Sequence, residues 1–452
     1  MVRTLFVTLL ALTATSTGPA TAAQTVDTAP SPRHLVVDDD RSQCADADFT
    51  TIQEAVDAAA PGDVVRVCPG LYTKTTGLDG PLVTVDKPLT LRGEPETIEG
   101  VDCFASTYSP PDPNRQVVIQ APSSSTTQPP VLLRADGVTL QGFVFQGVTL
   151  DTGRWALETS PEHSGYRVAH NLFQSNLIAV RFGSSGNVPS QFDHNCIRDN
   201  RWGFTTGFDH FVENARVHHN STFRQLQAAY ELVRPTTVPH STVDVTFDHN
   251  VSRRDGGNFG AYHLVSTLQT TVSQNIVEAA TRRAIHLDGG NEVLRILDNI
   301  LEGQAAGIAQ ASNPLPPPNK HVEIRGNIIT GGTSAGIGMG IGALNKSTIA
   351  ENVVTGSTGE GIALIVGNTD NVVSGNVVTG STRNGIFAGA GATSNTFVGN
   401  EMHGNGAVPG TADARDDTDP VTSDGVQLLN TWTANVCETD IPAGAICGAG
   451  VG

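Results

Sequence analysis

The chain has 452 residues, a formal net charge of −18, 16% charged residues, 5% aromatic residues and 48 Gly. So few aromatics argue against a compact core packed by rings, and an acidic chain with four Lys excludes nucleic acid, whose binding rests on Lys and Arg neutralising phosphates. Length alone allows two or three domains, but a regular repeat holds far more chain in one body.

The first residues, MVRTLFVTLLALTATSTGPATAA, set Arg3 before an apolar run and end in small residues, the layout of a cleaved export signal over 1–23. This predicts a secreted, extracellular protein beginning near Gln24. No later stretch approaches the roughly 20 apolar residues of a membrane span. Residues 24–48 read as an N-terminal extension. In FTTIQEAVDAAAPGD, which starts at Phe49, Thr51 and Glu54 make a capping box, Ile52, Ala55, Val56 and Ala59 share one face, and Pro61-Gly62 ends the turn, so a short cap helix is expected. Of the six Cys, the close pairs Cys44 with Cys68 and Cys437 with Cys447 read as clips at the two ends; Cys103 and Cys196 either pair across the repeats or stay buried.

From Asn171 onward Asn recurs in one frame, at 195, 220, 250, 275, 299, 327, 352, 376 and 400, with separations of 24 to 30 residues. An apolar residue stands three before each Asn, often another two after, and Gly-Ile about ten after, as in Gly336-Ile337, Gly361-Ile362 and Gly385-Ile386. A period near 24 with β-branched residues between turns suits three short parallel strands per coil. The expectation is an all-β solenoid over 49–435, closed by a C-terminal cap at 436–452. The Pro-rich insertions at 110–130 and 313–320 read as solvated excursions, with walls of a cleft as the alternative.

On FTTIQEAVDAAAPGDVVRVCPGLY, VDKPLTLRG and the repeated Asn, residues 49 to 435 resemble the right-handed parallel β-helix family that includes pectate lyases and the periplasmic maturation protein of nitrous oxide reductase. The resemblance implies a single-stranded right-handed parallel β-helix plugged by the cap helix, with stacked Asn amides satisfying turn backbone. It does not extend to a specific activity. The pectate lyase Arg-x-Pro-x-x-Arg pattern survives only as Arg234-Pro235, and the polygalacturonase pattern only as Asn368-Thr369-Asp370.

Charge is uneven along the stack: residues 193–292 hold eight of the 13 His and nine of the 23 Arg, and sum to −2. Inward Ile285 and Leu287 would put His286 and Asp288 outside, and aligning the coils predicts an outward row Arg181, Thr205, Glu231, His263, His286, then Ala309, Gly338, Ala363 and Phe387. Lyase-like β-elimination on an acidic polysaccharide needs a base and a cation for the uronate carboxylate. His263 or His286 are the candidate bases, Tyr262 the proton donor if it faces out, and Arg181, Arg234, Arg253 and Arg254 the carboxylate partners. Glu231 and Asp288 could hold Ca²⁺. Strand spacing puts these two carboxylates about 11–12 Å apart, too wide for a glycosidase pair.

A second row, His170, His194, His219 and His249, precedes the repeated Asn; it reads as stacked turn residues, with transition-metal ligands as the alternative. Three functional classes follow: a polysaccharide lyase-like enzyme, a non-catalytic glycan-binding or cell-surface scaffold, and a periplasmic-type copper-binding protein. The sequence leaves the oligomeric state open.

Overall fold

The computed structural model describes residues 31–447 apart from 75–79, 97, 99, 100, 108, 122–127, 151–153, 208, 234–238, 311–316 and 419–427. The chain divides into a unit Met1–Pro32, whose expected export signal lies outside the described residues, and a unit Arg33–Gly452 that carries everything below.

Each repeat supplies three short strands, for example Thr271–Ser273, Ile276–Glu278 and Arg283–Leu287. Each pairs in parallel with its equivalent one repeat later: Val272 with Ile296, Val277 with Leu301, Ile285 with Ile308. Among the described residues this stacking gives three long sheets of 16, 14 and 14 strands and one two-stranded ribbon. We refer to the long sheets as first, second and third, in the order the chain enters them. The architecture is a right-handed parallel β-helix. Period-two alternation turns one side chain of each strand into the lumen: Val272, Ile296, Ile324 and Ile349 are fully buried in one such column. Each such burial is worth roughly 1.5–3 kcal/mol.

The repeated Asn forms a continuous amide ladder from Asn171 to Asn435. At each step the backbone N–H and Nδ2 both donate to the next Oδ1, at 3.0 Å from Asn275 to Asn299 and at 3.0 and 2.9 Å from Asn299 to Asn327. The same Nδ2 reaches back to a carbonyl, Phe247 O for Asn275 at 3.0 Å. Turn groups that water cannot reach are thereby satisfied. A second, shorter ladder runs Asn176, Asn200, Gln225 and ends on the buried carboxylate of Asp255, which accepts from Gln225 N at 2.6 Å.

The residue before each ladder Asn is left-handed: φ is 54° at His170, His194, His219 and His249, 55° at Gln274, 54° at Asp298 and 67° at Gly326. A side chain there costs about 1–2 kcal/mol, least for short polar residues and nothing for Gly. This accounts for the mixture of His, Gln, Asp, Glu and Gly at one repeat position.

The cap helix Ile52–Ala58 forms as expected, with Thr51 Oγ1 accepting from Glu54 N and donating to the Glu54 carboxylate, and with Ile52, Ala55 and Val56 buried over the open end of the lumen. Parallel pairing extends past both expected boundaries. His34–Val37, within 24–48, pairs with Val64–Val67, and the strands Val436–Cys437 and Asp440–Ile441 fall within 436–452. Disulfides join Cys44 to Cys68 and Cys437 to Cys447 at the ends, and Cys103 to Cys196 across the repeats. No helix among the described residues is long and apolar enough to cross a membrane.

The described residues within 94–116 cross the outside of the second sheet as a strap. Besides the Cys103–Cys196 bond, Arg198 donates to the carbonyls of Asp102 at 3.1 Å and Ala105 at 2.9 Å, and Phe104 meets Phe223 edge-on at 6.1 Å. Val118, Val144 and Leu172, which point out from the sheet, are buried beneath it.

Candidate functional site

The outward row of the third sheet has the register that alternation predicts. Arg181 pairs with Thr205, Thr205 with Glu231, Glu231 with His263, His263 with His286, His286 with Ala309, and the row continues through Gly338 and Ala363 to Phe387. Glu158 extends it one coil before Arg181.

Two histidines hold the middle. The His263 ring lies between Phe259 at 4.6 Å and His286 at 4.9 Å, nearly parallel to both. Its Nε2 is 3.3 Å from Asp288 Oδ2 and its Nδ1 3.7 Å from Glu231 Oε1. Burial favours the neutral ring, but hydrogen bonds and charge from Asp288 and Glu231 more than offset it, and the His263 pKa is raised. The bond from His263 in turn lowers Asp288. His286 goes the other way: burial, then the neighbouring His263 and Arg283, push it down to about 4. Its Nδ1 stands 3.1 Å from the Phe259 carbonyl, an acceptor only, so the neutral ring carries its proton there. The other nitrogen, Nε2, is buried and has no hydrogen-bond partner. Two stacked imidazoles are thus driven in opposite directions, His263 toward its cationic form and His286 toward its neutral one, with the unpartnered His286 Nε2 shielded from solvent.

Beyond His286 the row falls to Ala309, Gly338 and Ala363, and this change in side-chain size opens a groove of about 390 Å³. Arg282 and Arg283 rim it on the His286 coil. Neither guanidinium has a carboxylate within ion-pair distance among the described residues; Arg283 is half-buried and feels the charge of Asp288 without pairing to it, so the rim offers positive charge.

Several expected site residues are elsewhere. Tyr262 faces the lumen, fully buried and stacked on Tyr230 at 4.7 Å, because it occupies the inward position beside Ile285; it cannot donate a proton at the outer face. Arg253 belongs to the second sheet, where it pairs with Glu278 at 2.8 Å and covers the Phe104 ring at 4.3 Å. Arg254 takes the left-handed turn after it, at φ 56°. Neither reaches the histidine row. Arg181 is in the row but is already neutralised: it contacts Asp209, lies 3.5 Å from Glu158, and stacks over Trp155 at 4.4 Å. Arg234 lies outside the described residues.

Glu231 and Asp288 do not form a bare cation site, since the His263 imidazole stands between them and supplies the compensating charge. Ca²⁺ needs six to eight oxygens, which this pair does not assemble. The two carboxylates are nevertheless closer than strand spacing alone implies. Both side chains lean onto one ring, which brings their oxygens to at most about 9 Å apart, within the range of an inverting glycosidase pair. The ring fills the gap that such a mechanism leaves for sugar and water.

The second histidine row stacks as regularly as its turn dictates: His170 on His194 at 4.9 Å, His194 on His219 at 5.1 Å, His219 on His249 at 5.0 Å. Asp193 and Asp248 flank it, at 2.9 Å from His194 Nδ1 and 2.7 Å from His249 Nδ1. Burial lowers the pKa of His170 and His219, and their histidine neighbours add to the effect. Ligand atoms of His170, Asp193 and His194 lie within 4.8 Å of one another, close enough for one metal ion.

The family model for the periplasmic copper-binding protein NosD matches residues 232–414, a window that holds the groove and His263 but, of the second row, only His249. No curated protein matches. Among solved structures, the catalytic unit of a thermostable α-1,3-glucanase from Streptomyces thermodiastaticus is 18% identical, with a TM-score of 0.47 over 86% of this chain and 65% of that one. The A-module of a mannuronan C-5 epimerase from Azotobacter vinelandii is 14% identical, with a TM-score of 0.39 over 85% and 89%. A mannuronic acid specific polysaccharide lyase of family 6 from human gut microbiota is 12% identical, with a TM-score of 0.40 over 83% and 86%. Likenesses at this level carry no argument about activity. With its three parallel sheets, Asn ladder and cap helix, the chain belongs among the right-handed parallel β-helix proteins.

Proposed function

We propose that this is a secreted, carbohydrate-active protein that removes the C5 proton of a uronate unit in an acidic polysaccharide and eliminates the 4-linked sugar. The observation that supports the reading is the neutral His286 in the outward row, one coil before Ala309 and the other small residues of a groove that Arg282 and Arg283 also line. Arg282 and Arg283 hold the carboxylate and so acidify C5–H. His286 Nε2 takes that proton, the C5 electron pair forms the C4=C5 bond, and the C4–O4 bond breaks. The protonated His263, held by Asp288, returns a proton to O4. Acid and base stand stacked on one face, which suits syn elimination. A pKa near 4 makes His286 a weak base in the free protein; a uronate carboxylate beside it favours its protonated form and strengthens it when substrate is bound.

Incubation with a panel of acidic and neutral polysaccharides tests this, following the unsaturated uronide chromophore together with new reducing ends. Chromophore on an acidic polymer, lost in His286→Ala, is the expected result. Reducing ends without chromophore would instead mean hydrolysis, and silence from the folded protein would favour a glycan-binding scaffold.

A second reading is copper binding, supported by the cluster of His170, Asp193 and His194, which lies outside the window matched by the NosD family model. It predicts stoichiometric Cu²⁺ binding that disappears in His170→Gly with His194→Gly, substitutions the left-handed turn accepts.

A further inference from the structure

The Pro-rich insertion leaves a cavity of about 710 Å³ between the strap and the second sheet, on a different face from the histidine groove. Its floor belongs to an outward row in register: Gln120, Gln146, Gln174, then Arg198. Gln174 is 2% exposed and lines the cavity, yet its Nε2 has no hydrogen-bond partner. An amide N–H₂ left unsatisfied at that depth is destabilising unless something in the cavity accepts from it. On the strap side, Gln116 accepts from Asp112 N through its Oε1 at 3.0 Å. Arg115, also lining the cavity, has no carboxylate within ion-pair distance among the described residues. The rest of the lining mixes aliphatic Pro95, Pro111 and Leu172 with Thr107, Ser109, Asp102 and Asp112, and holds no aromatic ring.

The strap does not collapse to fill this space, because its other part is tied down elsewhere. Cys103 is bonded to Cys196, Arg198 holds the carbonyls of Asp102, Ala105 and Thr107, and Arg224 donates to Ser106 O at 2.9 Å. The cavity is therefore preformed, with amide and guanidinium donors at Gln174 and Arg115, hydroxyls and carboxylates at Thr107, Ser109, Asp102 and Asp112, and aliphatic C–H groups at Pro95, Pro111 and Leu172. A ligand that fits must present several acceptors and one apolar face in a volume typical of small-molecule sites. A pyranose ring does both, through its ring oxygen and hydroxyls and through its C–H face. A flat aromatic ligand would find no stacking partner, and a small anion would leave most of the volume empty.

We infer that the cavity under the strap is a saccharide-binding site of one or two sugar units, separate from the groove at His286. The inference stands on the cavity alone and does not require that the groove be catalytic. Isothermal titration and saturation-transfer NMR with the neutral disaccharides maltose and cellobiose as probes test it on the full chain. At least one probe is expected to bind with a millimolar Kd, about tenfold more weakly in Gln174→Leu and several-fold more weakly in Arg115→Ala, and unchanged in His286→Ala. Arg115 is exposed on the strap, so its loss leaves the fold intact. No binding of any of these probes by the folded protein at 20-fold the millimolar range, or equal binding by both strap-site variants and the original chain, would overturn the inference. Loss of binding in His286→Ala alone would do the same, by placing the sugar in the groove.

Discussion

At the scale of single residues, the account turns on two histidines driven in opposite directions by their surroundings. His286 is neutral above about pH 4, and His263 is cationic to a higher pH than a free imidazole. A base that must be neutral and an acid that must be charged therefore coexist over a wider pH range than two free imidazoles would allow. The activity profile is expected to have its acid limb below pH 6.5 and its alkaline limb above it, and His263→Gln should remove the alkaline limb while lowering kcat by about 10²-fold or more. Arg283→Ala should raise KM for the acidic polymer more than it lowers kcat if the guanidinium holds the carboxylate before the transition state, and the loss should shrink at high salt.

Asp255 provides a residue-scale prediction about stability. Burial raises its carboxyl to about 6, against hydrogen bonds that lower it. The folded state thus holds a proton that the unfolded chain has already lost, and stability falls as pH rises from about 4 to about 6. The loss is on the order of 3 kcal/mol. Asp255→Asn should flatten that slope in urea midpoints measured at pH 4 and pH 7; an unchanged slope would show that the carboxyl does not titrate there.

At the scale of elements, the Asn ladder carries the turn of every coil. Asn299 accepts from Asn275 and donates to Val272 O and to Asn327. Asn299→Ala leaves these groups buried without partners, at a cost of about 2–4 kcal/mol, whereas an Ala on the solvent side of the same turn costs under 1 kcal/mol. Thermal unfolding of the two variants side by side checks the difference.

This element was legible from the sequence because one chemical requirement recurs at one spacing, so ten imperfect copies reinforce each other. The outward row from Arg181 to Phe387 was legible for the same reason. The same register put Tyr262 beside Ile285 and hence in the lumen, which removes it as a donor. The groove was not legible: Ala309, Gly338 and Ala363 read as the end of a polar row, and only in three dimensions does their small size become a space that makes the neighbouring Arg282 and Arg283 a rim. Nor was the strap, since its partners lie some ninety residues or more away and no local pattern links Cys103 to Cys196 or Phe104 to Phe223.

At the scale of the molecule, a solenoid has no single centre at which to place a site, so function depends on where the uniform repeat is interrupted. Two interruptions stand out. On the third sheet, six polar residues from Glu158 to His286 give way to a floor of small ones; on the second, the strap lifts away from a row of glutamines. Both lie on faces that run along the stack, and coils spaced about 4.8 Å apart nearly match the rise of an extended sugar chain, so a polymer can lie along either face with its units in register with successive coils. The acidic remainder of the surface would repel a polyanion everywhere except near the arginine rim.

The central claim is that His286 takes a proton from C5 of a uronate. Its most direct measurement is the fate of that proton: the acidic polysaccharide is incubated with the protein in D₂O and the C5 hydrogen is followed by ¹H NMR. Loss of the C5 signal, with or without the vinyl proton of the elimination product, that is abolished in His286→Ala and retained in Asn299→Gln is the predicted result. A C5 hydrogen that stays in place while the glycosidic bond is cleaved, or its loss at an undiminished rate in His286→Ala, would contradict the account.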